Sequence, residues 1–304
     1  MHIGERWRWA NDEASQDRAW HELITTGVSW IHAPEMVRKV ERDALSIAEG
    51  LLGRYAFRMV PAWITPLDGN PRGYEGTSQP TPLHTEPHPY LAAHVMILLC
   101  VTPAFDGGDT LLVDGWQLLD EIRANQPVLY RSLFQTARLI PFAQTYWVGP
   151  TVSLRLDSLQ LAQGIAAPRK GDSVGTAFAD IVQLTTPTTL RLEAGDVLLV
   201  NNHRFLHGRS AFTDQKRRLM RCNVWLREPM PSPRPLHEEG RQVAERLARQ
   251  LASYEPWIQH RFGWFGAEGL EAEPFREDYP RPPDAALEKL KQLGMVMRSL
   301  DLTF

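Results

Sequence analysis

Only two cysteines occur in this 304-residue chain, Cys100 and Cys222, and they lie far apart. Zinc-finger spacing is therefore absent. Each cysteine sits within an apolar, strand-like run, where a free thiol packs as a small hydrophobe and stays reduced. Long hydrophobic runs are missing as well. No window approaches the roughly eighteen uninterrupted apolar residues of a membrane span, and the N-terminal MHIGERWRWANDEASQ has no apolar core of signal-peptide length. Charge of one sign is not in excess: 33 Lys and Arg stand against 36 Asp and Glu, a net charge of −3. Without a basic stripe to neutralise a phosphate backbone, nucleic acid is not an expected partner. No internal repeat is visible. These absences lead us to expect a cytoplasmic protein with a small-molecule partner, no membrane association, and a homo-oligomeric state left open.

What is present begins with an ordinary globular balance, 43% hydrophobic and 23% charged. The length suits one large domain, or one domain with a substantial extension. Residues 14–55 read as helical. In EMVRKVERDALSIAEGLLGRY, Met36, Val37, Val40, Ala44, Leu45 and Ala48 recur at helical spacing, and Gly50 and Gly53 offer a stop. A Gly-, Pro-, Asn- and Ser-rich loop follows from Pro66 to Pro82. From about residue 83 the period becomes that of strands: AHVMILLCVT suits a buried strand, FDGGDTLLVDG a turn and a second strand, and WQLLDEIRANQP a helix. Residues 128–195 contain short strand-like pieces such as SLRLDSL and TTPTTLRLEAGD. GDVLLVNNHRFLHGRSAF and RRLMRCNVWLRE then supply two more strands with a loop between them. So many short strands predict a sandwich or barrel of antiparallel strands, mainly β with flanking helices. After Pro229, a Pro-rich connector leads into amphipathic stretches, LHEEGRQVAERLARQLASY and AALEKLKQLGMVM. The expected organisation is a core over residues 1–228 and a helical extension over 229–304. That extension could serve as a lid, a dimer contact or a docking surface for a carrier protein.

Chemistry enters with His84-Thr85-Glu86. Residues two apart on a strand face the same way, so imidazole and carboxylate share one face. Alone, H-x-E is common and marks nothing more than a surface His and Glu. His207 follows in AGDVLLVNNHRFLHGRSAF, where a turn at Ala194-Gly195-Asp196 launches the apolar VLLV run and a small residue after the histidine leaves space beside a metal. Two histidines and one carboxylate on one face of an ion leave three coordination positions open. That arrangement suits Fe(II), and the absence of thiolates argues against a structural zinc site. Arg218 comes eleven residues after His207, in QKRRLMRCNVWL. A hairpin would return it toward the metal, where a guanidinium grips a carboxylate in bidentate fashion. Arg217 is its neighbour, and only one of the two can point inward; Arg221 carries little weight. Thr110, at the end of Gly107-Gly108-Asp109-Thr110, begins the next strand with a hydroxyl that can donate to the same carboxylate.

Taken in order, HTE, GGDT, GDVLLVNNHRFLHGR and RRLMR resemble the taurine-dioxygenase-like (TauD/TfdA) family of Fe(II)/2-oxoglutarate oxygenases, over roughly residues 80–228. The resemblance implies a double-stranded β-helix (jelly-roll) core. It implies His84, Glu86 and His207 as iron ligands, Arg218 and Thr110 as holders of 2-oxoglutarate, and O2 as co-reactant. Most members use aspartate where this chain has Glu86. Glutamate is similar to the clavaminate-synthase-like branch, which includes hydroxylases of arginine and asparagine. LLVDG after GGDT looks more like the γ-butyrobetaine-hydroxylase side, so the substrate class stays open. A carboxylate at this position argues against halogenation. The expected activity is hydroxylation, desaturation or ring closure at an unactivated C–H bond of a small polar substrate, a free or carrier-tethered amino acid or related amine. Two other readings stand beside it: a non-catalytic binding protein that keeps the fold, and a jelly-roll enzyme using zinc or manganese without 2-oxoglutarate.

Several residues are read as packing rather than chemistry. His88 would share a face with His84 only if a strand survived Pro87 and Pro89. His94 fits packing equally well, and His203 has metal spacing to His207 only in a helix. Tyr74, Trp147 and Trp225 fit core positions, and Arg155 with Asp157 fits a plain ion pair.

Overall fold

A computed structural model describes residues 3–66, 77–86, 93–135, 148–153, 158–163, 173–227 and 230–231. The chain divides into two compact units. The first comprises Met1–Glu86, Ala93–Leu118 and Gln183–Met230, and the second Pro87–Ala92, Leu119–Val182 and Pro231–Phe304.

The first unit contains two sheets. Its strands are β1 (Trp7–Arg8), β2 (Val28–His32), β3 (Ala56–Ile64), β4 (Thr81–His84), β5 (Val95–Thr102), β6 (Thr110–Asp114), β9 (Thr188–Leu190), β10 (Asp196–Asn201), β11 (Phe205–Arg209) and β12 (Arg218–Leu226). The six-stranded sheet has the order β1-β2-β10-β5-β12-β3, and the four-stranded sheet the order β4-β11-β6-β9. From β3 to β6 the chain alternates between the two sheets strand by strand, and it does so again from β9 to β12. This alternation is the jelly-roll pattern, a double-stranded β-helix. β5 and β10 read as unbroken apolar runs because both of their faces are covered. Met96, Leu98, Cys100, Leu198, Val200 and Leu219 meet Leu112, Leu190 and Phe205 of the smaller sheet. Ile97, Leu99, Val197, Leu199, Met220 and Cys222 face the other way.

That other face is covered by helices α1 (Glu13–Thr25), α2 (Pro34–Val40) and α3 (Ala44–Leu52), through Leu23, Met36, Val40, Ile47, Leu51 and Leu52. Asp12 accepts from the Ser15 N–H and Asp43 from the Ser46 N–H, fixing two of the helix starts. Pro34 occupies the first turn of the third, where its missing N–H costs nothing. Each fully buried Leu or Ile contributes roughly 1.5–3 kcal/mol. A one-residue slip of β12 would swap Met220 and Cys222 against these helices for Leu219 and Arg221, so register is strongly specified.

The second unit's described elements are the end of α4 (Gly115–Asn125), α5 (Pro127–Gln135), the hairpin of β7 (Val148–Ser153) with β8 (Ser158–Gln163), and α6 (Ser173–Leu184) up to Val182. Within it the Arg123 guanidinium lies over the Tyr130 ring.

Two expectations need correction. The helical stretch 14–55 is interrupted by β2, and its second half is two helices that break at Asp43. β2 becomes a strand because β1 and β10 offer ladders on both sides, which local propensity cannot register. Residues 128–195 include α5 and α6 as well as strands. Gly175, Phe178, Ala179 and Val182 are buried at helical spacing, although Val, Thr and Gly are weak helix formers. The extension beyond residue 231 lies outside the described residues, as do Tyr74, His88, Trp147, Arg155 and Asp157. Among the described residues, no helix is long and apolar enough to cross a membrane.

Candidate metal centre

β4 and β11 run antiparallel with His84 directly opposite His207, bringing the two imidazoles to a ring separation of 4.4 Å. Gly208 permits this approach: a Cβ there would stand 2.7 Å from the Thr81 carbonyl oxygen and 3.3 Å from the Leu83 nitrogen. The small residue after His207 therefore makes room for the backbone of β4. Glu86 lies two residues beyond His84, past the end of the strand. Its Oε1 is 3.6 Å from His84 Nε2 and 3.4 Å from His207 Nε2. One ligand atom from each of the three residues falls within 4.8 Å of the others, and all three side chains are buried. His84 Nδ1 donates to the Pro82 carbonyl at 2.8 Å, which leaves Nε2 as the lone-pair nitrogen facing the cluster.

Electrostatics favour a cation here. Burial opposes charge on Glu86, but Arg221 and the two imidazoles outweigh it and hold the carboxyl well below its usual range. Arg221 donates to Glu86 Oε1 at 3.0 Å. Burial, with His84 alongside, pushes His207 down to about 4, so its imidazole is neutral at pH 7. Two imidazoles and one carboxylate, with no thiolate, form a donor set that fits Fe(II).

The sequence-derived cosubstrate residues separate. Thr110 is 3% exposed and sits opposite Arg209 in the β6–β11 ladder. Arg218 is not brought to this group: its guanidinium stacks 4.0 Å from the Trp63 ring centre and pairs with Glu41. A register shift between Arg218 and Leu219 in the β12–β5 ladder breaks the simple alternation of faces. Arg217 is the buried one, 7% exposed. It lies against Gly108, where a Cβ would come within 3.1 Å of its Nε. Its guanidinium and that of Arg209 both border the Phe212 ring, at 5.5 and 4.8 Å. Burial, followed by the charge of Arg209, lowers Arg217 to about 10, still cationic at neutral pH. Among the described residues no carboxylate is hydrogen-bonded to the Arg217 guanidinium, although Asp214 accepts from the Arg217 backbone N–H. Arg209 also donates to the carbonyls of Thr77 and Gln79.

Sequence reasoning passed over Arg209, gave Arg221 little weight, and looked to Arg218, where the structure buries Arg217 and leaves Arg218 on Glu41 and Trp63. For Arg209 the signal was available, since it follows His207 by two residues and so shares its strand face. His94 and His203 are buried, with their rings tilted against each other at a centroid separation of 4.6 Å. His94 Nδ1 accepts the Leu226 N–H, in line with a packing role. Trp225 is likewise buried, with Arg58 over its ring.

Residues 176–223, from α6 into β12, match the model of the Taurine catabolism dioxygenase TauD, TfdA family. Over that stretch the chain is similar to this family. The matched stretch carries His207, Arg209, Arg217 and Arg221. Over 151 residues the chain is 28% identical to a gamma-butyrobetaine dioxygenase of Pseudomonas sp. (strain AK-1). That match takes in 43% of this chain and 39% of the relative, so it spans well under half the length of that protein. Among solved structures, the non-heme iron oxygenase OrfP in complex with Fe and alpha-ketoglutaric acid aligns with a TM-score of 0.47 and 18% identity, covering 70% of this chain and 80% of that one. An asparagine oxygenase in complex with Fe(II), a hydroxyasparagine and succinate aligns with a TM-score of 0.42 and 14% identity, covering 72% and 85%.

Proposed function

We propose that this chain is a mononuclear Fe(II) oxygenase that uses 2-oxoglutarate and O2 to oxidise a C–H bond of a small polar substrate. One observation carries the reading. The buried Arg217, with no carboxylate hydrogen-bonded to its guanidinium among the described residues, lies near Arg209, which faces Thr110 across the ladder and follows His207 by one strand repeat. His207 and Arg209 are two residues apart on one face of β11, roughly 7 Å. A five-carbon dicarboxylate bridges such a gap, one end at a metal and the other on a guanidinium.

His84, Glu86 and His207 would hold the metal, a donor set suited to Fe(II) that can also take a cosubstrate. Arg217 and Thr110 take the distal carboxylate of 2-oxoglutarate in place of the expected Arg218. When bound, iron and 2-oxoglutarate supply the oxidising power, with succinate and CO2 as by-products. The residues themselves contribute positioning, charge compensation and exclusion of water. Arg221, close to Glu86, gives the site a second cationic contact for a carboxylate-bearing substrate. Likeness to a gamma-butyrobetaine dioxygenase over part of its length supports a small charged substrate. An amino acid or related amine, free or tethered to a carrier protein, meets that description. A zinc or manganese enzyme without 2-oxoglutarate would leave Arg217 buried with no anion to hold.

The test is anaerobic visible spectroscopy of the metal-free protein, with Fe(II) and then 2-oxoglutarate added. A weak charge-transfer band that needs both supports chelation at an open site, and Glu86→Ala should remove it together with succinate formation. Bound metal without such a band, or full turnover by the Glu86→Ala protein, would overturn the reading.

A further inference from the structure

Glu86 stands where the β4 ladder has ended. Continuing the His84–His207 register would place Glu86 opposite Phe205, yet β4 stops at His84. The Glu86 N–H and C=O are thus buried groups without a ladder partner, a costly situation unless something replaces the strand. The replacement is a side chain. Asn202 Oδ1 accepts the Glu86 N–H at 2.7 Å, and Asn202 Nδ2 donates to the Glu86 carbonyl at 3.0 Å. The same Nδ2 donates to the Ala93 carbonyl at 2.8 Å, and the Asn202 N–H donates to the His94 carbonyl at 2.9 Å.

A carboxamide is the side-chain equivalent of a peptide group, with one acceptor and two donors. Here both ends are used, and Asn202 is 0% exposed. Asn202 also lies in the turn between β10 and β11, five residues before His207. A single hairpin therefore carries one candidate ligand and grips the backbone of another.

We propose that Asn202 is a positioning residue for the metal centre, clamping the Glu86 backbone away from β11 at the distance that a glutamate rather than an aspartate side chain spans. The inference rests on the metal-site reading above. Two consequences separate it from a purely structural role. Loosening the clamp weakens the metal while the fold survives. Loosening it also lessens the penalty for shortening Glu86, because a freed backbone can advance by the missing methylene.

The experiment measures Mn(II) and Co(II) affinity of the full chain by competition with a chelator, well below the melting temperature. It compares wild type, Asn202→Ala, Glu86→Asp and the double variant. Asp12→Ala, which removes the N-cap of α1 far from the site in sequence, serves as the control for general destabilisation. Asn202→Ala is expected to bind 10- to 100-fold more weakly, with Asp12→Ala unchanged. Glu86→Asp is expected to lose less affinity in the Asn202→Ala background than in wild type. Should Asn202→Ala fail to fold, the near-isosteric Asn202→Asp is read instead. It keeps the acceptor for the Glu86 N–H, loses the donor to both carbonyls, and is expected to weaken binding by at least tenfold. Wild-type affinity in a folded Asn202 variant, or strictly additive losses in the double variant, would overturn the clamp. Absence of metal binding by the wild-type chain would instead overturn the metal-site reading and take the clamp with it.

Discussion

An arginine in water and an arginine inside a protein are different reagents. The Arg218 guanidinium, 38% exposed and paired with a surface glutamate, contributes little, because solvent screens such a pair. Arg217, 7% exposed and with no carboxylate hydrogen-bonded to its guanidinium among the described residues, would meet an incoming carboxylate at a lower dielectric, and loss of such a contact typically costs about 2–5 kcal/mol. Arg217→Ala should therefore raise the dissociation constant for 2-oxoglutarate at least tenfold, and Arg217→Lys should recover only part of it because the bidentate fork is lost. Arg218→Ala should leave that constant within about twofold. Titration of the charge-transfer band measures all three, and equal losses for Arg217→Ala and Arg218→Ala would refute the assignment. The sequence could say that one of two adjacent arginines turns inward, since neighbours on a strand face opposite ways. Which one does so depends on the register shift at Arg218–Leu219, and no residue in RRLMR announces that shift. The His84–Glu86–His207 cluster was legible because strand parity and donor chemistry are local properties. Asn202 was not, because its partners are Glu86 and Ala93, more than a hundred positions away.

At the scale of strands, the metal cluster depends on how closely β4 approaches β11. Gly208 is the residue that sets this distance, since any Cβ would press on the Thr81 carbonyl at 2.7 Å. That oxygen belongs to backbone and cannot rotate aside, so β4 must move outward as a unit. Gly208→Ala should cost about 1–3 kcal/mol of stability, as overpacking does elsewhere, and should separate His84 from His207. A lower melting temperature accompanied by weaker Mn(II) binding is the expected pair of results; a lower melting temperature with unchanged metal affinity would show that the strands are not coupled in this way. The strands themselves vary in how plainly the sequence declares them. β5 and β10 are continuous apolar runs because helices cover one face and the second sheet the other. β2 is hidden inside a helical neighbourhood, and only its ladders to β1 and β10 make it a strand. α5 and α6 carry Val, Thr, Tyr and Phe that suit strands as well as helices, and at that length propensity does not decide.

For the whole molecule the interior acts as a solvent hostile to charge, and its effect has a measurable direction. Burial raises the thiols of Cys100 and Cys222 to about 12 each, so neither should react with a thiol reagent at pH 8 until the protein is denatured; rapid labelling of the native state would contradict their burial. The same interior lowers His207 to about 4, against an ordinary value of 6.5. In the metal-free protein, unfolding between those limits frees a histidine that takes up a proton which the folded state refuses. The unfolded state then binds more protons, so stability must fall as pH falls through this window, by about 1.4 kcal/mol per pH unit for the one group. Glu86 acts further down, because its depressed pKa contributes stability that is present above the ordinary carboxyl range and lost as pH drops through its folded value. Thermal melts of the metal-free chain from pH 7 to pH 4.5 should show this decline, and His207→Gln should flatten it by the equivalent of one proton. Bound metal occupies the folded site alone and competes with protons there, so it should move the acid transition to lower pH in proportion to the logarithm of its concentration. A slope unchanged by His207→Gln would mean that His207 titrates normally in the folded protein and is not the neutral, desolvated imidazole that a metal would meet.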